Sequence, residues 1–198
     1  MNAILLSGGK NSRFGSNKAL IDWGGKPLLE VLVNRVSEVA DEVIVVTQHS
    51  KEYSFLTDVT FVKDRYQNMG PLGGIEAGLT ASTQHFNLVT ACDMPYLTAA
   101  AARALDAARN GYDVVVPHVG GYYEPLFALY ARSCLEAIRR QLDKGNPKVI
   151  DFYGEVAVKT VTEAELNGVN LKKLFKNINT QGDLAEVAAP SNGPKGGV

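Results

Sequence analysis

The sequence predicts a single α/β domain built on an open, mostly parallel sheet with helices on both faces. Three features point there: strand-length runs that stay apolar from end to end, helical amphipathic stretches between them, and glycine-rich loops directly after strands. A half-exposed strand alternates apolar with polar residues, whereas EVIVVT and DVVVP do not, so each suits a strand covered on both faces. The 198 residues are enough for one core of this kind.

In chain order the strand runs are 3–6, 42–47, 59–62, 87–92, 113–117 and 125–130. Pro27 suits the first turn of a helix, and Leu28, Leu32, Val36 and Val39 then recur along one helical face. A glycine-rich turn at 70–78 opens a second helix. Thr98 reads as the N-cap of an Ala-rich helix reaching about Asn110, with Gly111 as its stop. Strands alternating with helices imply right-handed crossovers, and ligands of such sheets bind beyond the carboxyl ends of the strands. The domain is expected to cover 1–188, with disorder or a non-native remnant in the Gly/Pro-rich tail 189–198.

Composition narrows the function. Twenty basic and twenty-one acidic residues leave a net charge of -1, which gives no bulk attraction to nucleic acid or to an anionic membrane. The apolar run 3–6 is too short for a signal-peptide core or a membrane span, so a cytoplasmic protein is expected. Cys92 and Cys134 are isolated in apolar settings and read as buried packing residues. His49, His85 and His118 have no metal-pair spacing, and no nucleophile motif occurs.

The first strand runs into SGGKNSRFGSNK, residues 7–18, where glycines let backbone N–H groups approach an anion and Lys10, Arg13 and Lys18 can neutralise it. Its spacing is neither GxxxxGK[ST] nor GxGxxG. A phosphate fits this mixture; the alternative is a solvated surface loop. Asp93 stands at the end of the fourth strand, where one carboxylate suffices for Mg²⁺ that takes its other ligands from phosphates and water, or where it simply caps a turn. Asp64 likewise follows a strand, and Gly70, Pro71, Gly73, Gly74 and Gly78 then make a second glycine-rich turn. Those glycines could let a base or ribose lie on bare backbone, or could serve close packing of helix on sheet.

These motifs together resemble the molybdenum cofactor guanylyltransferases, the MobA-like branch of the nucleotidyltransferases with a Rossmann-like fold. The family's opening motif, roughly LAGGxSxRMGxDKxLL, stands here at residues 6–21 as LSGGKNSRFGSNKALI. GKPLLE, Asp64 with GPLxGI, CDMPYL, EPLFALY and NINTxxDL follow in order, so the resemblance spans nearly the whole chain. It implies transfer of GMP from GTP to molybdopterin, with Mg²⁺ as cofactor and GTP as co-substrate, and contact with molybdoenzyme-maturation proteins as a further partner class. It implies that Leu6, Ser7, Gly8, Gly9, Lys18, Asp64, Gly70, Pro71, Leu72 and Asp93 meet the nucleotide. Arg13, Lys18 and Asp93 would act in catalysis, Asp93 would hold the metal, and Asn177 and Asn179 would meet the pterin. The alternatives are a CTP-dependent cytidylyltransferase, whose members tend to show LAAG where this chain has LSGG, and a nucleotide-binding relative without activity. Departures from the pattern are Ser7 for Ala, Phe14 for Met, Asn17 for Asp, and Gln181-Gly182 for Pro-Glu; any contact from the lost acid at 17 must come from an amide.

Overall fold

The computed structural model describes residues 1–8, 17–66, 68–166 and 168–178. Gly9, Arg13, Asn179 and the tail 189–198 lie outside the described residues. Among the described residues eight strands form one sheet: β1 (Asn2–Leu6), β2 (Val43–Val46), β3 (Thr60–Val62), β4 (Phe86–Ala91), β5 (Val114–Val119), β6 (Tyr122–Tyr123), β7 (Phe127–Ala131) and β8 (Val158–Thr162). Their order is β3-β2-β1-β4-β7-β5-β6, with β8 paired to β5. The block β3-β2-β1-β4 is parallel, and β8 runs parallel to β5, whereas β7 is antiparallel to both β4 and β5.

The apolar runs behave as their composition requires. Every residue of β1, β2 and β7 is buried. Successive side chains in β1 go to opposite layers. Ala3 and Leu5 join Leu28, Leu29 and Leu32 of α1 (Leu28–Ser37) and Ala101 and Leu105 of α3 (Ala99–Ala107). Ile4 and Leu6 join Leu72, Ile75 and Leu79 of α2 (Gly70–Ala81) and Ile138 and Leu142 of α4 (Leu135–Asp143). A short α5 (Leu171–Leu174) follows β8.

The helix boundaries largely follow the local signals. The Thr98 side chain accepts from the Ala101 N–H at 3.3 Å, as its N-cap role requires. The helix ends at Ala107, before Asn110, and the chain turns through Gly111 at φ +83. Pro27 stands one position earlier than expected, at the N-cap with ψ 137.

The glycines of α2 divide by role. A Cβ at Gly78 would lie 2.4 Å from Ile4 Cγ2, and one at Gly74 would lie 3.0 Å from Leu6 Cδ2, so both let α2 settle onto β1. Gly78→Ala is therefore expected to destabilise the fold by about 1–3 kcal/mol through overpacking. Thermal or urea melting checks this, and an unchanged midpoint would mean that the helix has room to lift.

Candidate active site at the carboxyl edge of the sheet

Leu6 pairs with both Val46 and Ala91, so β1, β2 and β4 end level with one another. The chain leaves β1 toward β2 and β3, then returns to place β4 on the other side of β1. That reversal opens a crevice between the ends of β1 and β4, with Ser7 and Gly8 on one bank and Cys92 and Asp93 on the other. A small cleft lies there, lined by Ser7, Gly8, Asn17, Lys18, His49, Tyr53 and Cys92.

The side of the cleft nearest β2 is tied by one hydroxyl. Tyr53, fully buried at the end of the 3-10 helix Ser50–Tyr53, places its OH 2.9 Å from Ser7 Oγ and 3.0 Å from Asn17 Nδ2. Asn17 Nδ2 also donates to Glu52 Oε2 at 2.8 Å, while its Oδ1 accepts from the Ala19 N–H and starts the 3-10 helix Lys18–Leu20. Two departures from the expected motif, Ser7 and Asn17, thus meet at Tyr53. The amide gives two donors and an acceptor where a carboxylate could only accept.

On the other bank Asp93 is partly buried in the turn after β4. Burial pushes its carboxyl above the ordinary carboxylate range, and the positive charge of Lys18 acts against that rise. Lys18 thus acts on Asp93 through its charge. Burial first, and Asp93 second, push the neighbouring Cys92 thiol up to about 12, so it stays a neutral thiol. Cys134 is fully buried and likewise raised to about 12 by burial. The Asp93 carbonyl accepts from the Ile178 N–H at 3.1 Å, which brings the 177–178 segment, and with it Asn177, to the same turn.

The loop after β3 forms the third part. Asp64 Oδ1 accepts from the Tyr66 N–H at 2.7 Å, and the Asp64 carbonyl accepts from Gln48 Nε2 at 2.9 Å. Burial raises the Asp64 carboxyl, the Tyr66 N–H lowers it, and the charge of Glu76 raises it. A Cβ at Gly73 would lie 2.8 Å from both Asp64 oxygens, so this glycine gives the carboxylate its place against α2. Gly70 and Pro71 are exposed at the helix start, but Leu72 is fully buried and Leu6 is 8% exposed, so their side chains belong to the core and only their backbones reach toward the edge.

A second groove opens on the same edge and is almost wholly apolar, with Pro71, Tyr122, Tyr123, Leu126 and Pro147 among its walls. His49 and Tyr53 escaped the sequence reading as cleft residues. His49 stood in plain sight, two residues beyond the second predicted strand, where ligand contacts are expected; it pairs with Glu52 at 2.9 Å. Among the described residues no three His, Cys, Asp or Glu side chains come together to hold a metal. The donor set at Asp93 fits a hard divalent cation that arrives with phosphate oxygens and keeps several waters, and does not fit a metal held by protein alone.

Comparison with known proteins gives the family and the fold. Residues 3–158 match the family model of the MobA-like NTP transferase domain. The chain is 36% identical over 184 residues to a probable molybdenum cofactor guanylyltransferase of Pelotomaculum thermopropionicum, covering 92% of this chain and 89% of that one. It is 33% identical over 189 residues to the molybdenum cofactor guanylyltransferase of Desulfosudis oleivorans, covering 94% and 93%. The solved molybdopterin-guanine dinucleotide biosynthesis protein A of Archaeoglobus fulgidus superposes with a TM-score of 0.80 at 26% identity, covering 94% of this chain and 96% of that one.

Proposed function

The chain belongs to the family of MobA-like NTP transferase domains, and from that premise we propose that it transfers GMP from GTP to molybdopterin, yielding molybdopterin guanine dinucleotide and pyrophosphate. The observation that carries the proposal is the crevice at the strand ends, where Ser7, Gly8 and Lys18 share a cleft with Cys92, Asp93 occupies the turn beside it, and the Asn177 segment is drawn to that turn.

The nucleotide lies along the ends of β1 and β4, with Asp64 and the start of α2 on its flank. A terminal phosphate oxygen of the acceptor forms a bond to the α-phosphorus of GTP, and the bond from that phosphorus to the bridging oxygen of the β-phosphate breaks. The electron pair leaves with pyrophosphate. The nucleophile is already an anion, so no general base is required and the protein contributes alignment and charge. Lys18 offsets the charge that grows around the α-phosphate, and Asp93 supplies the carboxylate for Mg²⁺, whose chemistry is to neutralise and align the phosphate oxygens. Arg13, outside the described residues, is assigned to the departing β- and γ-phosphates. Asn177, with Asn179, meets the pterin, and the groove at Pro71 and Tyr122 offers a flat ring an apolar surface on the same edge.

Among the described residues no helix is long and apolar enough to cross a membrane, and the reaction as proposed belongs in the cytoplasm. The decisive experiment incubates the protein with molybdopterin, Mg²⁺ and an equimolar mixture of the four nucleoside triphosphates, then weighs the product. A GMP adduct is expected; a CMP adduct would replace the proposal with the cytidylyltransferase reading.

Base choice can be tested separately at Gly8. Among the described residues a Cβ placed there meets no protein atom within 4 Å, so Gly8→Ala is expected to keep the melting midpoint, and a loss of affinity then reports on ligand. GTP binding is expected to weaken more than CTP binding by about 1–3 kcal/mol, the range for one small group in a specific pocket. Equal losses in titrations of both nucleotides would restrict the loop to phosphate.

A further inference from the structure

Glu76 is fully buried, yet it is a carboxylate in the middle of α2. Its Oε1 takes three donors: Arg65 Nη2 at 2.5 Å, Arg139 Nε at 2.8 Å and Thr80 Oγ1 at 3.1 Å. Its Oε2 is buried with no hydrogen-bond partner among the described residues. For stability alone this is a poor arrangement, because an apolar residue of similar volume does as well or better than a buried ion network with an unsatisfied oxygen. The network therefore calls for a geometric reason, and its two arginines come from different places. Arg139 lies on α4, outside the loop that carries Asp64. Arg65 follows Asp64 directly, in the loop that bears on the nucleotide.

The contacts of that loop with α2 form a register. Asp64 rests against Gly73 and Arg65 against Glu76, and positions 73 and 76 are one helical turn apart on the same face. Gly73 is a notch that admits the carboxylate, and Glu76 is a pin that stops the loop from sliding along the helix. We propose that Glu76, acting through Arg65, is a positioning residue for nucleotide binding: it holds the Asp64 turn in the conformation the nucleotide meets. The proposal rests on the reading above that Asp64 contacts the nucleotide. It concerns neither the reacting atoms nor the acceptor.

Two independent readouts test it on the full chain. The first needs no nucleotide. The Tyr66 amide is held by Asp64 Oδ1 at 2.7 Å, so hydrogen–deuterium exchange over the loop reports the pin directly. Arg65→Ala and Glu76→Gln are expected to speed exchange of that amide about tenfold or more, while Arg139→Ala leaves it unchanged. The second is titration with GTP and Mg²⁺. Arg65→Ala and Glu76→Gln are expected to weaken GTP binding about tenfold, and Arg65→Lys, whose ammonium can still reach Oε1, restores most of it. Arg139→Ala is expected to lower the thermal midpoint and to leave GTP affinity within about twofold.

Each contrary result has its own meaning. If both arginine variants loosen or weaken alike, the network is a stability element and the proposal falls. If Arg65→Ala weakens GTP but Glu76→Gln does not, Arg65 touches the nucleotide itself and Glu76 positions nothing. Should Glu76→Gln fail to fold, the contrast between Arg65→Ala and Arg139→Ala decides alone. If the exchange pattern is as expected but wild-type protein binds no GTP, the pin stands as geometry and the functional reading above is what fails, taking the positioning role with it.

Discussion

Asp93→Asn is expected to lower turnover by about 10³-fold, the rate equivalent of roughly 4 kcal/mol, while the protein becomes no less stable. The first half follows from charge: the amide is nearly isosteric but cannot offer an anionic oxygen to a divalent cation, and no group of three candidate ligands exists among the described residues to compensate. The second half follows from the sign of the shift. Burial raises the Asp93 carboxyl in the folded state, so folding disfavours its ionised form. Below the unfolded-state value both states are protonated and there is no penalty; as pH rises through the raised folded value the penalty comes fully into force and persists at neutral pH. The neutral amide removes it. A midpoint at or above that of the wild type, with turnover lost, is the pair to look for in parallel melting and product assays. Turnover retained at saturating Mg²⁺ would take Asp93 out of the metal role, and a midpoint well below wild type would show a structural part for the carboxylate.

What the sequence disclosed about this site depended on where each residue stood in the chain. Asp93, Asp64 and Ser7 were legible because an apolar run directly before each one announced a strand, and position beyond a strand end is a strong rule in open α/β sheets. The parallel core was legible for the same reason. The reversed direction of β7 was not, since its run FALYA is apolar throughout and direction leaves no trace in such a run. Two strands escaped for different reasons. β8, VKTVT, is neither a continuous apolar run nor a strict alternation, so it carries no strand signal of either kind. β6 is two residues long, but the Gly120-Gly121 pair before it, at φ +59 and +88, was a hairpin signal available from the start. Tyr53 could not have been found. Its role is to receive Ser7 and Asn17 from 46 and 36 residues away, and one sequence contains no sign that two departures from a motif share one partner. The buried Glu76 was hidden likewise, because the pattern GIEAGL puts a charge where an amphipathic helix would face solvent, and only the packing of α4 over α2 closes that face.

Lys18→Ala is expected to lower turnover on the order of 10²-fold while GTP affinity falls much less, because the charge around the α-phosphate grows on the way to the transition state and the lysine acts mostly there. The structure adds a second signature that separates this from a simple loss of binding. Lys18 is the cation that works against the burial-driven rise of the Asp93 carboxyl, so removing it lets that carboxyl rise further. The metal needs Asp93 ionised. The acid limb of the pH–rate profile is therefore expected to move to higher pH in Lys18→Ala, and to stay near the wild-type position in Lys18→Arg, which keeps the charge with a different shape. Turnover and KM measured across the acid range for the three proteins give both signatures together. An acid limb that does not move would mean that Lys18 and Asp93 are not electrically coupled in the working enzyme, and equal losses in affinity and turnover would make Lys18 a clamp on the nucleotide in its ground state.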